Sequence, residues 1–201
     1  MKVYHTPRTR SLRVLWMLEE MGLPYEVQSM DFPPALSTPG YRQVNPIATV
    51  PALEDGEVLI LESAAILEYL AARHGPTDLV ARPDEAIYPV YLDYLHYGEA
   101  TLAAPLTVLV RTKFQAPDGE KDNWTARMIA KVFADKLKLL EMRLEQGEFV
   151  AGERFTAADI SVTYGLFLGR LLGVHEGYSD AVKDYFKRMK ARPAYERAVA
   201  V

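Results

Sequence analysis

Two dipeptides set one hairpin apart are the residues of this chain best suited to chemistry. Val50-Pro51, preceded by Asn45-Pro46, opens a strand-like run, Ala52-Leu53-Glu54. Only X-Pro bonds adopt the cis form at low cost, and such bonds sit in tight turns. A cis bond at Pro51 would turn the backbone N–H and C=O of Val50 outward, where a bound peptide can pair with them as an added strand. A proline at a strand start can equally be a boundary marker. Glu62-Ser63 follows the next strand and opens a helix. Ser63 reads as an N-cap. A helix start also offers free N–H groups and a positive dipole end to a carboxylate, and Glu62 offers the opposite charge for an ammonium group. Such a pairing suits the α-amino acid end of a small peptide. Either dipeptide is weak alone; their separation by one hairpin makes the combination specific.

The elements that hold these pairs follow from pattern. Lys2–Tyr4 reads as a strand, Leu12–Met21 as a helix ended by Gly22 and Pro24, and Tyr25–Ser29 as a second strand. A loop with Pro33, Pro34 and Pro39 comes next. Ala52–Glu54 and Val58–Leu61 flank Asp55-Gly56, the strongest hairpin signal in the chain. Ser63–His74 is a helix with Ile66, Leu67 and Leu70 on one face, closed by Gly75-Pro76. The order β-α-β-loop-β-β-α over residues 1–77 predicts a mixed four-stranded sheet with helices against it. Residues 78–85 read as a linker, and 86–201 as an all-α helical bundle with no convincing strand. Its helices are Ala86–Phe114, interrupted by Pro105, then Trp124–Gln146, Phe155–Leu172, Tyr178–Lys190 and Pro193–Val199. Thr156 with Asp159 spells a capping box, and Phe155 with Ile160 a hydrophobic staple, so Asp159 is expected to be structural and not a catalytic acid.

Composition narrows the classes. The 201 residues are 49% hydrophobic, a globular value, and 27 acidic against 23 basic residues leave a formal charge of −4. That balance proposes neither nucleic acid nor an anionic membrane as partner. No apolar run reaches the roughly 18 residues a membrane helix needs. The chain contains no cysteine, so any thiol chemistry must use a thiol that binds from solution. His5, His74, His96 and His175 show no metal spacing, and no metal is expected. With no signal-peptide core at the start, a cytoplasmic location is expected.

The chain resembles the cytosolic glutathione transferases over nearly its whole length. The resemblance rests on Ser11 to Glu20, Asn45 to Leu53, Glu62-Ser63 and Phe155 to Ile160, with Tyr94 to Leu106 similar to an E-G-S-L-x-P-P-L segment of a fungal and bacterial branch. It implies a thioredoxin-like N-terminal domain that holds glutathione as co-substrate, and a helical domain, 86–201, that shapes the pocket for a small hydrophobic electrophile. It also implies a homodimer and a detoxifying activity on electrophilic or peroxide substrates. In such enzymes a Tyr or Ser hydroxyl just after the first strand stabilises the glutathione thiolate. Aligned on Arg13, the serine position falls on Thr9, the first choice here; Ser11 is second and Tyr4 third. Arg10 flanks Thr9 and would raise the potential at sulfur. Val50, Pro51, Glu62 and Ser63 are implied glutathione contacts. Ala48-Thr49 stands where many relatives have Gly-Lys, so Thr49, helped by Arg42, is left for the glycine carboxylate. Tyr94, His96, Tyr97, Arg111 and Tyr164 are candidates for the electrophile site. Rival readings are a non-catalytic module of the same fold that binds ligands or proteins, and a glutathione-dependent isomerase or a disulfide reductase that uses bound glutathione.

Overall fold

Four short strands make one mixed sheet in a computed structural model that describes residues 1–33 and 38–201. Pro34 of the predicted loop lies outside the described residues. The strands are β1 (Lys2–His5), β2 (Glu26–Ser29), β3 (Ala52–Asp55) and β4 (Val58–Ile60), in the order β2-β1-β3-β4. β1 runs parallel to β2, which requires a crossover, and α1 (Ser11–Met21) supplies it. β3 is antiparallel to both β1 and β4. This is the thioredoxin-like sheet expected from the sequence, and a helical region follows it. The hairpin turn sits one step later than its strongest signal. Asp55 ends β3 paired with Val58, and Gly56 opens the two-residue turn at φ 63°, a conformation glycine adopts without strain.

α1 is buried on every side from Ser11 to Leu18, as a helix apolar all round should be. It stops at Gly22, φ 64°, whose N–H returns to the Leu18 carbonyl. A short helix, α2 (Tyr41–Val44), was not visible as a periodic pattern. α3 (Ser63–His74) buries Ile66, Leu67, Leu70 and Ala71. At its far end His74 Nε2 and the Tyr69 hydroxyl meet Asp55 Oδ2 at 2.6 and 2.9 Å, tying the helix to the hairpin.

The described chain divides into two compact units, one comprising residues 1–78 with 191–201 and the other 79–190. The terminal helix α9 (Pro193–Ala200), which sequence pattern groups with the helical region, therefore belongs with the sheet. Specific side chains hold it there. Arg192 makes a two-pronged pair with Glu20 at 2.6 and 2.9 Å, and Arg197 Nε lies 2.5 Å from Glu19. Tyr195 sets its ring edge-on to Trp16, centroids 4.9 Å apart.

In the second unit the predicted long helix is three pieces. α4 (Tyr88–His96) passes into a π-helical stretch, Tyr97–Ala103, and then into α5 (Ala104–Gln115) with Pro105 in its first turn. Gly98 lies against the backbone of Ser161, where a Cβ would come within 2.4 Å of the Ser161 carbonyl carbon. The Ser161 hydroxyl donates to the Leu95 carbonyl at 2.7 Å, serving a helical acceptor at the irregular turn. α6 (Trp124–Leu144), α7 (Ala157–Leu171) and α8 (Asp180–Lys190) complete the unit.

Asp159 is fully buried at the start of α7 in the capping box with Thr156. Four donors converge on it: the N–H of Val150 and of Thr156, and the hydroxyls of Thr156 and Tyr185, at 2.9 to 3.2 Å. Lost hydration nonetheless lifts its carboxyl to about 6. Replacing Asp159 by Ala strands these donors inside the unit, each unsatisfied group costing about 1–3 kcal/mol. Asp159→Ala is expected to lose at least about 3 kcal/mol of stability, measured by urea unfolding.

Candidate functional site

The strand register gathers the chemically promising residues of the first unit at one edge of the sheet. Tyr4 pairs with Ala52 on β3, and Leu53 pairs with Ile60 on β4. Carried one residue beyond the Tyr4–Ala52 pair, the β1–β3 register sets His5 opposite Pro51. The β3–β4 register, extended likewise, sets Glu62 opposite Pro51 from the other side. The end of β1, the start of β3 and the entry to α3 therefore lie side by side.

Three polar side chains cluster after β1. Ser11 is fully buried, His5 nearly so, and Thr9 is partly exposed. Thr9 Oγ1 lies 2.7 Å from the Thr6 carbonyl, to which it donates, and 2.8 Å from Ser11 Oγ. Ser11 Oγ lies 2.8 Å from His5 Nδ1 and 3.3 Å from the Thr6 carbonyl. Burial holds the His5 imidazole down at about 4, so the ring is neutral at pH 7. The turn that presents Thr9 puts Arg8 at φ 67°, a left-handed conformation that non-glycine residues rarely adopt. Ser11 is the first residue of α1, and its hydroxyl binds the preceding loop and makes no capping bond. Arg10 is partly exposed at the N-cap position.

The Tyr4 hydroxyl is engaged beside the first residue of β1. Its hydroxyl donates to Glu54 Oε1 at 2.9 Å and accepts from Lys2 Nζ at 3.3 Å. Glu54 stands opposite Lys2, so this phenol faces the first residue of β1 and not the loop that follows the strand. The ring packs on Tyr41 in the cluster formed with Met30, Ala48, Val50 and Ala52.

The segment before β3 is held by its own side chains. The Val50–Pro51 peptide bond is cis. The Thr49 carbonyl accepts from the Tyr41 hydroxyl at 2.6 Å and from Asn45 Nδ2 at 2.8 Å. Asn45, fully buried, also reaches Thr49 Oγ1 at 3.3 Å and accepts from the Ile47 N–H at 3.2 Å. Ala48 stands at φ 52°, a left-handed conformation that non-glycine residues rarely adopt. Exposed Arg42 donates to the Pro46 carbonyl at 2.8 Å and so steadies the same loop.

Glu62 is exposed and extended, immediately before α3. Ser63 is the first residue of the helix, and its hydroxyl accepts from Arg13 Nη1 at 3.1 Å, so it too makes no capping bond. Arg13 is fully buried on α1, placing a guanidinium beneath the positive end of α3. In the sequence Arg13 serves only to align the loop, and His5, Tyr41 and Asn45 carry no signal of a role. The burial of an arginine inside the apolar run of α1 was the one available signal.

In the second unit, Tyr94 and Tyr97 are buried, and their phenols donate to the Leu139 and Lys136 carbonyls of α6 at 3.1 and 2.7 Å. Tyr164 is buried beside Phe167. His96 and Arg111 are exposed.

Comparison with known proteins agrees with this architecture. Residues 1–72 match the family described as glutathione S-transferase, N-terminal domain. The chain is 31% identical to glutathione S-transferase 3 of Zea mays, covering 100% of this chain and 93% of that one. It is 29% identical to glutathione S-transferase 3 of Schizosaccharomyces pombe over 96% of this chain and 84% of the other. Among solved structures, a glutathione transferase family member from Pseudomonas fluorescens with two glutathione bound superposes with a TM-score of 0.81 at 27% identity, covering 98% and 91% of the two chains.

Asn45→Ala removes both side-chain contacts to Thr49 and the acceptor of the Ile47 N–H. Its expected cost is about 2–3 kcal/mol from the stranded groups, read as a lower denaturation midpoint with an unchanged m-value.

Proposed function

The chain belongs to the glutathione S-transferase family, and from that membership we propose that it binds glutathione on its first unit and ionises the bound thiol with the hydroxyl of Thr9. The observation that carries this reading is the partly exposed Thr9 hydroxyl, backed by buried Ser11, at the sheet edge shared with Val50-Pro51 and Glu62-Ser63.

The assignment of parts follows from chemistry. The cysteinyl backbone of glutathione pairs with Val50, whose segment is immobilised through Thr49 by Tyr41 and Asn45. The γ-glutamyl carboxylate meets the N–H groups that open α3 and the Ser63 hydroxyl. Because Ser63 accepts from Arg13, its own proton remains to be donated, and the guanidinium adds positive potential. Glu62 takes the ammonium group. Thr49, exposed before Val50, is left for the glycine carboxylate, and Arg42 supports the loop.

A free thiol ionises near pH 8.5, so at pH 7 only a few per cent is thiolate. A donor aimed at sulfur favours the anion and lowers that value. Between the two loop hydroxyls, Thr9 has the solvent access a ligand sulfur requires, and Ser11 is enclosed behind it. The thiolate then attacks an electrophilic carbon of an apolar co-substrate, forming the S–C bond as the leaving group departs with its electron pair. A peroxide oxygen is the alternative electrophile. The chain has no cysteine, so the reactive sulfur is that of glutathione alone. Of the residues considered for the electrophile, His96 and Arg111 are the accessible polar candidates, and the phenols of Tyr94 and Tyr97 serve α6.

We also propose a homodimer. Support comes from a row of exposed apolar side chains on α6: Met128, Val132, Leu139 and Met142, at 36, 40, 53 and 59% exposure. Spaced three or four apart, with Asp135 completing the series, they share one helix face, and such a row on a protein surface marks a contact with another chain.

Thr9→Ala is expected to raise the pKa of the bound thiol by about 1–2 units and to lower kcat/KM about 10–100-fold at neutral pH. The affinity for glutathione in calorimetry should change little. The defect should shrink as pH rises toward the ordinary thiol range, where sulfur ionises without help; an unaltered thiol pKa removes Thr9 from the mechanism. For the assembly, light scattering should find a dimer for the native chain and a monomer for Leu139→Asp.

A further inference from the structure

We propose that His5 is a positioning residue for Thr9, holding a proton on Nδ1 so that the Ser11 hydroxyl points at Thr9 and the Thr9 proton is released to the bound sulfur. This rests on the reading of Thr9 as the donor to the thiolate.

The inference comes from counting protons. With glutathione bound, three contacts each need one: Thr9 to sulfur, the 2.8 Å contact between Thr9 Oγ1 and Ser11 Oγ, and the 2.8 Å contact between Ser11 Oγ and His5 Nδ1. Thr9 and Ser11 carry one hydroxyl proton each. The third must come from the imidazole. If Nδ1 were bare, Ser11 would donate to it and Thr9 to sulfur, leaving two hydroxyl oxygens 2.8 Å apart with no proton between them. With Nδ1–H the chain runs one way, from His5 to Ser11 to Thr9 to sulfur, and each bond polarises the next.

Two further features fit. The imidazole is buried and its pKa is held at about 4 by that burial, so at pH 7 the ring is neutral with one proton to place. In this structure Thr9 donates to the Thr6 carbonyl at 2.7 Å. The Thr9 backbone N–H also donates to that carbonyl, at 3.3 Å, so the acceptor stays paired when the Thr9 hydroxyl turns to sulfur. Ser11 also receives the Thr6 N–H at 3.4 Å, a contact that points into the hydroxyl and supplies none of the three protons counted above.

The test compares His5→Phe, which keeps an apolar-tolerant ring without the donor, with His5→Asn, whose amide can donate from near Nδ1. The pKa of the glutathione thiol on the protein is read from the ultraviolet absorbance of the thiolate across pH, and glutathione affinity by calorimetry. His5→Phe is expected to raise the thiol pKa by about one unit and lower kcat/KM about tenfold at neutral pH, with affinity unchanged. His5→Asn should recover most of both, and in a Thr9→Ala background His5→Phe should add no further shift. If Thr9→Ala raises the thiol pKa and His5→Phe does not, the role of His5 is overturned and Thr9 stands. If Thr9→Ala has no effect, the Thr9 reading fails and this inference with it. Should His5→Phe not fold, nitrogen NMR of the native protein with glutathione decides: a proton on Nδ1 of His5 is expected, and a proton on Nε2 alone overturns the proposal.

Discussion

The antiparallel pairing of β3 with strands on both its sides is the constraint from which the rest of the first unit follows. It sets Ala52 opposite Tyr4 and Leu53 opposite Ile60. Three segments distant in sequence, after β1, before β3 and after β4, must then emerge at one edge. A slip of a single residue would turn every side chain of a strand to the other face. It would also bury what is now presented at that edge. The apolar set of β3 and β1, Val3, Ala52 and Leu53, each at most 1% exposed, makes such a slip costly.

Polar groups at this edge are arranged in depth. Accessible groups stand in front: Thr9, partly exposed, and Glu62, exposed, before α3. Buried groups stand behind and orient them: Ser11 and His5 behind Thr9, Arg13 behind Ser63, Asn45 and Tyr41 behind Thr49. A buried polar group must be paired or it destabilises the fold, so each of these inner contacts is at once structural and a restraint on the group in front. This is how a sheet of four short strands holds the candidate site's loops without leaving them loose.

The terminal helix contributes to the same rigidity. α9 packs on α1 through two Arg–Glu pairs and the Trp16–Tyr195 contact. α1 in turn carries Arg13 and opens with Ser11. The restraint on α1 thus reaches from residues 192–197 to the loop that holds Thr9, all within one unit.

By itself the sequence determined the order of strands and helices, the mixed sheet, the hairpin at Asp55-Gly56, the capping box at Thr156 and Asp159, and the family. These are encoded locally, in turn residues, caps and periodicity, or in motifs read one stretch at a time. It also determined that no protein thiol takes part, since there is no cysteine. Tertiary structure decided what depends on partners remote in the chain. Ser63 reads as a cap because only neighbours are visible in a sequence; in space its hydroxyl is engaged by Arg13, and that of Ser11 by His5. The Tyr4 hydroxyl donates to Glu54, fifty positions away, a partner no local pattern shows. The π turn at Tyr97–Ala103 arises where Gly98 meets Ser161, and α9 joins the sheet unit through Glu19 and Glu20. Apart from His5, six residues before Ser11, the deciding contacts span long stretches of chain, and such contacts leave no periodic trace in the sequence.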